Sequence, residues 1–99
     1  MSSDQYINVM PISVLIDKVS VICKQCGVKR LDLFGSFATG NATPRSDIDF
    51  VVYGEVNSDL LEMRINEIET LRKIDIIYYD EVKNTYLLED IKKYGRKIY

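Results

Sequence analysis

Ninety-nine residues make one small domain with a single modest core, and 46% apolar with 28% charged residues is the balance of a globular chain. A formal net charge of −2 argues against nucleic acid as a direct partner, which asks for a basic face. The chain has no histidine, which removes Ser-His-Asp and Cys-His catalysis and leaves carboxylates, Lys, Tyr or a bound metal to do any chemistry.

Residues 1–9 read as a loose leader before one domain over 10–99. They lack the basic start and apolar stretch of a signal peptide, and no apolar run reaches the roughly 18–20 residues of a membrane span, so no membrane partner and a cytoplasmic location are expected. From Ile12 the apolar residues Ile12, Leu15, Ile16, Val19, Ile22, Cys23 and Cys26 step by three and four, which predicts a helix face. Pro11 suits its first turn and Gly27 its C-terminal end. Cys23 and Cys26 are too few for a closed zinc site, which takes about four ligands, and they fall inside this helix. They are read as helix residues, with redox or shared-metal chemistry as the alternative.

Leu31–Phe34 predicts a short strand running into Gly35-Ser36, followed by turn residues from Gly40 to Ser46. Asp47–Tyr53 predicts a second strand, with Ile48, Phe50 and Val52 on one face and Asp47, Asp49 and Val51 on the other. Leu61, Ile65, Ile68 and Leu71 predict a helix over 58–72, capped by Asn57 or Ser58. Lys73–Tyr79 predicts a third strand, and Thr85–Tyr94 a last helix with Leu87, Leu88, Ile91 and Tyr94 inward. Arg96–Tyr99 is a candidate edge strand, and Lys92, Lys93, Arg96 and Lys97 complement the end of the last helix.

The short link between the first two strands predicts an antiparallel pair, and the helical crossover predicts that strands two and three are parallel. The fold class is therefore α/β (α+β), a small mixed sheet of three to four strands flanked by helices. Period two sends the Asp47 and Asp49 carboxylates to one face. Like charges so placed call for a cation between them, and magnesium favours carboxylate and phosphate oxygens. In a parallel register Asp75 lies across the ladder from Asp49, and a Gly between strand and turn lets a ligand approach the backbone closely. Ser36 then sits where first-turn N–H groups attract phosphate. Each residue has a plainer reading: Asp47 and Asp49 as a solvated strand start, Ser36 as a helix cap, Asp75 as an ion-pair partner of Lys73 or Arg72, and Arg45 as a loop residue in water.

The run Gly35-Ser36-Phe37-Ala38-Thr39-Gly40, followed by Pro44-Arg45-Ser46-Asp47-Ile48-Asp49-Phe50-Val51-Val52 and then Asp75, resembles the signature of the DNA polymerase beta-like nucleotidyltransferases, in particular their minimal (MNT) branch. The resemblance extends from Ile12 to Tyr99. It implies a polymerase beta palm-like fold and Mg-dependent transfer of a nucleoside monophosphate, AMP from ATP, to an acceptor hydroxyl. It also implies catalytic and metal-holding roles for Asp47, Asp49 and Asp75, with two magnesium ions, and a triphosphate held by Gly35 and Ser36. The sequence departs from many relatives in having Thr39 and Thr43 at positions that are often basic, and Arg45 is the nearest basic substitute at the nucleotide. Small members of this branch act as antitoxins that adenylylate a tyrosine of a HEPN-type helical toxin. The absence of a second domain within these residues favours a protein acceptor. The competing readings are a non-catalytic subunit that neutralises a toxin by contact, and the nucleotide-binding subunit of a small-molecule adenylyltransferase. A homo-oligomer is compatible with all three.

Overall fold

The structure is a computed structural model that describes residues 10–43 and 45–99, so the predicted leader and Pro44 lie outside the described residues. Helix α1 spans Ile12–Gln25 and strand β1 Arg30–Phe34. A one-turn helix α2, Ser36–Thr39, leads through a loop to β2, Ile48–Tyr53. Helix α3 covers Ser58–Asn66 and strand β3 Ile74–Tyr78. A 3₁₀ turn at Tyr79–Glu81 precedes helix α4, Thr85–Tyr94, and the two-residue strand β4, Arg96–Lys97.

The sheet order is β3-β2-β1-β4. As the connection lengths predict, β1 and β2 run antiparallel and β2 and β3 parallel. Strand β4 adds antiparallel to the free side of β1, through Asp32 opposite Lys97 and Leu33 opposite Arg96. The alternation of β2 separates two environments. Ile48, Phe50 and Val52 join Leu31 and Leu33 in a core completed by Leu15, Val19 and Cys23 of α1 and Leu61 and Ile65 of α3. Val51, on the opposite face, is also fully buried, as is Ile91 of α4. Within α1, Cys23 is a core residue whose thiol burial pushes up to about 12, so it behaves as a small apolar side chain and not as a thiolate.

Three expectations are corrected. Helix α3 ends at Asn66 and does not run to residue 72. Its last turn tightens, with the Ile68 N–H donating to Ile65 O at 3.0 Å, and the Thr70 hydroxyl then accepts from the Arg72 N–H at 3.1 Å. A local side-chain turn thus competes with continued helix. Leu71, predicted inward, is consequently 87% exposed. Tyr94, also predicted inward, is largely exposed, because Ile91 alone of that helix reaches full burial.

The one buried charged side chain among the described residues is Asp32, in the middle of β1. Its carboxylate accepts from Tyr53 Oη at 2.7 Å and from Arg30 Nε at 2.9 Å. Arg30 lies over the Tyr53 ring, and that ring stacks on Tyr79 with centroids 4.4 Å apart. Burial and the bond to Asp32 both hold the Tyr53 hydroxyl well above its ordinary range. Truncation to Asp32→Ala leaves the Tyr53 hydroxyl unpaired but lets the half-exposed Arg30 turn to water. The expected cost is therefore about 1–3 kcal/mol, below that of a fully buried ion pair, as read from urea unfolding.

Candidate active site

Strand pairing brings the chemistry-bearing residues together at one end of the sheet. In the parallel ladder Asp49 stands directly opposite Asp75, and in the antiparallel ladder it stands opposite Phe34. Phe34 is the last residue of β1, so the turn at Gly35 closes over Asp49. Gly35 has φ 73° and ψ −152°, a region essentially reserved for glycine. A β-carbon at this position would overlap the Asp49 Oδ2 atom. Glycine is thus required twice, for the backbone angle and for the space beside the carboxylate.

Ser36 opens α2. The Ala38 and Thr39 N–H groups donate to Gly35 O at 3.0 and 3.2 Å. The N–H groups of Ser36 and Phe37 therefore belong to the first turn and point out of its N-terminal end, beside Asp49. Thr39 turns its hydroxyl back toward the carbonyls of Gly35 and Ser36. The loop before β2 is held by its own side chains. The Thr43 N–H donates to Ser46 Oγ at 2.8 Å, and the Arg45 N–H to Thr43 Oγ1 at 3.3 Å. Arg45 is exposed in this turn.

Strand β2 starts at Ile48, so Asp47 is the exposed residue just before it and not its first member. The Asp49 carboxyl is held above the usual carboxylate range. Burial is the largest cause, followed by the charge of Asp75 and a carboxyl–carboxyl hydrogen bond with it, then by the charge of Asp47; only Lys73 acts in the opposite sense. Lys73 Nζ lies 3.8 Å from Asp75, with both side chains well exposed, so this ion pair offsets little of the repulsion. The plainer reading of Asp75 as an ion-pair partner of Lys73 is therefore present alongside its place opposite Asp49.

Among the described residues no group of three acidic or thiol side chains is placed to hold a metal ion. The donor set nonetheless fits magnesium, which takes one or two carboxylates and completes its shell with water and phosphate oxygens. Two acids set opposite each other in the ladder, with the Asp49 carboxyl held above its usual range, beside a glycine turn that could admit phosphate, are the observation behind that fit. An open groove between α1 and residues 64–71, lined by Val14, Val21, Ile68 and Leu71 among others, contains none of these residues.

Residues 16–98 match the family described as Nucleotidyltransferase domain. The chain belongs to that family. It is a nucleotidyltransferase, and the match covers the Gly35 turn, both strands of the carboxylate ladder and β4. A relative from Methanocaldococcus jannaschii, named "Putative protein adenylyltransferase MJ0435", is 35% identical over 77 residues, which span 74% of this chain and 83% of the relative. Two solved structures share the fold. One, a toxin-antitoxin with AMP-PNP, superposes with a TM-score of 0.67 at 18% identity over 84% of this chain and 71% of its own. The other, a mutant of the toxin-antitoxin MntA-HpeT, has a TM-score of 0.64 at 14% identity over 84% of this chain and 70% of its own.

Sequence reasoning missed two residues near this region. Arg72 donates from Nη1 to Ser46 O at 2.5 Å and lies over the Phe37 ring with its guanidinium carbon 5.0 Å from the centroid. Its partners are 26 and 35 positions away in the chain, so no local pattern signals the contact. Asp32 was equally silent, although the Arg30-x-Asp32 spacing places both on one strand face.

Proposed function

We propose that this nucleotidyltransferase moves AMP from ATP to a hydroxyl of a partner protein, a tyrosine of a HEPN-type helical toxin, and so acts as the antitoxin of the pair in the cytoplasm. The observation that carries the reading is the register that sets Asp49 against Asp75 beneath the Gly35 turn. The relative named as a protein adenylyltransferase supports AMP and a protein acceptor, and the two toxin-antitoxin neighbours support the partner class. The exposure of Asp47 and partial exposure of Asp49 and Asp75 also suit an acceptor that brings its own walls to the site.

In this reading the N–H groups at Ser36 and Phe37 and the Ser36 hydroxyl orient the triphosphate, with Arg45 approaching from the facing loop. Asp47, Asp49 and Asp75 would hold magnesium, one or two ions, which supplies positive charge to the triphosphate and lowers the pKa of the acceptor hydroxyl. The acceptor oxygen forms a bond to the α-phosphorus, the bond from that phosphorus to the bridging oxygen breaks, and pyrophosphate leaves with the electron pair. Asp75, part-exposed opposite Asp49, receives the acceptor's proton.

The test is incubation of the purified protein with α-labelled ATP, magnesium and the protein encoded beside it. The label is expected on a tyrosine of that partner with the wild type and not with Asp47→Asn/Asp49→Asn. Equal transfer by the two proteins would sink the catalytic reading. Neutralisation of the partner by the double variant without any label would point to inhibition by contact.

A further inference from the structure

Arg72 lies outside the carboxylate ladder and outside the Gly-Ser turn, yet it touches both segments that flank them. Its Nη1 donates to Ser46 O, the carbonyl immediately before Asp47. Its guanidinium covers Phe37, the second residue of α2 and the immediate neighbour of Ser36. The next residue, Lys73, accepts from the Ile48 N–H through its carbonyl at 3.0 Å, which starts the ladder that pairs Asp49 with Asp75. One side chain therefore joins the three pieces of chain on which the candidate site is built: the turn, the loop before β2 and the start of β3.

The loop needs such a tie. Asp47 stands before the first ladder residue of β2, so sheet hydrogen bonding does not fix it. The contacts that Thr43, Arg45 and Ser46 make with one another are local and exposed, and they shape the turn without anchoring it to the sheet. A guanidinium suits the anchoring, because its planar fork can donate in plane to a carbonyl while its face packs on an aromatic ring. The early end of α3 has the same origin in space: the chain leaves the helix at Asn66 and delivers Arg72 to the loop.

We infer that Arg72 is a positioning residue for nucleotidyl transfer, which clamps the Ser46–Asp47 backbone against α2 and so sets Asp47 relative to Asp49 and the triphosphate turn. The inference rests on the nucleotidyl-transfer reading for its kinetic consequence, and on geometry alone for the clamp. In Arg72→Met the side-chain length is kept while the donor and the charge are lost. A displacement of about 1 Å at Asp47 is enough to lower kcat by tenfold to a hundredfold. Gly35 and Ser36 keep their places, so KM for ATP should change by less than about threefold. Arg72→Lys retains one donor and the cation over Phe37, and should recover most of the lost rate.

Three measurements test this together: steady-state kinetics of the three proteins with partner and MgATP, binding of AMP-PNP with Mn²⁺ by calorimetry, and amide hydrogen exchange of residues 45–49 in the free protein. The expected result is faster exchange in that segment and weaker Mn²⁺ binding in Arg72→Met, with both largely restored in Arg72→Lys. Wild-type exchange and Mn²⁺ binding in a folded Arg72→Met would overturn the clamp, as would a KM rise with kcat unchanged, which would make Arg72 a substrate contact. If Arg72→Met does not fold, Phe37→Leu carries the test, since it removes the ring against which the guanidinium is held: exchange at 45–49 unchanged in that variant would overturn the proposal. Absence of any transfer by the wild type would count against the proposed activity, and the exchange data would still decide the clamp.

Discussion

Asp49→Asn is expected to lower nucleotidyl transfer by about a thousandfold and, in the same protein, to raise the melting temperature measured without metal. The first effect follows from the place of Asp49 at the end of the sheet where the site lies, opposite Asp75 and against the Gly35 turn. Loss of a charge that helps hold magnesium at a transferring phosphate removes several kcal/mol of transition-state stabilisation, which is a factor of that size in rate. The second effect follows from the sign of the carboxyl's shift. Burial and the neighbouring acids raise the Asp49 pKa in the folded chain, so the fold binds this proton more tightly than the unfolded chain does. Stability is then greatest below the ordinary carboxylate pKa and is lost as pH rises through the folded value. Asparagine stays neutral and can donate an amide N–H to Asp75, so the variant escapes that loss.

Thermal melts of wild type and Asp49→Asn should therefore diverge as pH is raised from about 4 to 8, with the variant ahead at the upper end. Saturating MgATP should reverse the order, because a ligand that binds only the folded state adds about 2.7 kcal/mol at a hundred times its Kd. Coincident melting curves at all pH values would mean that the carboxyl is not held out of its ordinary range. A variant more stable without metal and inactive with it would identify Asp49 as a residue kept for chemistry against the interest of the fold.

Much of this arrangement is legible in the sequence, because the relevant physics is local. Period two in Asp47-Ile48-Asp49, the length of the crossover after β2, and the Gly-Ser turn at the end of β1 together fix which carboxylates meet. The observed Asp49–Asp75 register is the one they imply. What stayed hidden was set over long sequence separations. The apolar steps at Leu61, Ile65 and Ile68 continue to Leu71, and no Gly or Pro marks a stop, yet α3 ends after nine residues. Thr70 accepts locally from the Arg72 N–H, and the Arg72 side chain then holds the chain through contacts whose partners lie in the turn and in the loop before β2. Tyr53 reaching Asp32 across 21 residues is a second case: the strand pattern gives the face of each residue but not its hydrogen-bond partner.

Gly35→Ala is expected to damage stability and function together. The backbone angles at Gly35 cost an L-residue on the order of 1–3 kcal/mol if they are kept. Keeping them also drives the new methyl into Asp49 Oδ2, so the carboxylate must leave its place or the turn must open. If the carboxylate moves, Asp49 loses its alignment with Asp75. If the turn opens, the N–H groups of Ser36 and Phe37 no longer face the ladder. Either response removes one half of the candidate site, which distinguishes this position from Gly27 and Gly40. Those two also have positive φ, but a β-carbon there meets nothing within 4 Å. Gly40→Ala should accordingly cost only the backbone penalty of about 1 kcal/mol and leave ATP binding intact. Urea unfolding with calorimetric titration of AMP-PNP separates the two: stability falls in both variants, and nucleotide affinity collapses only in Gly35→Ala. Wild-type nucleotide affinity in a folded Gly35→Ala would show that the triphosphate does not lie against this turn.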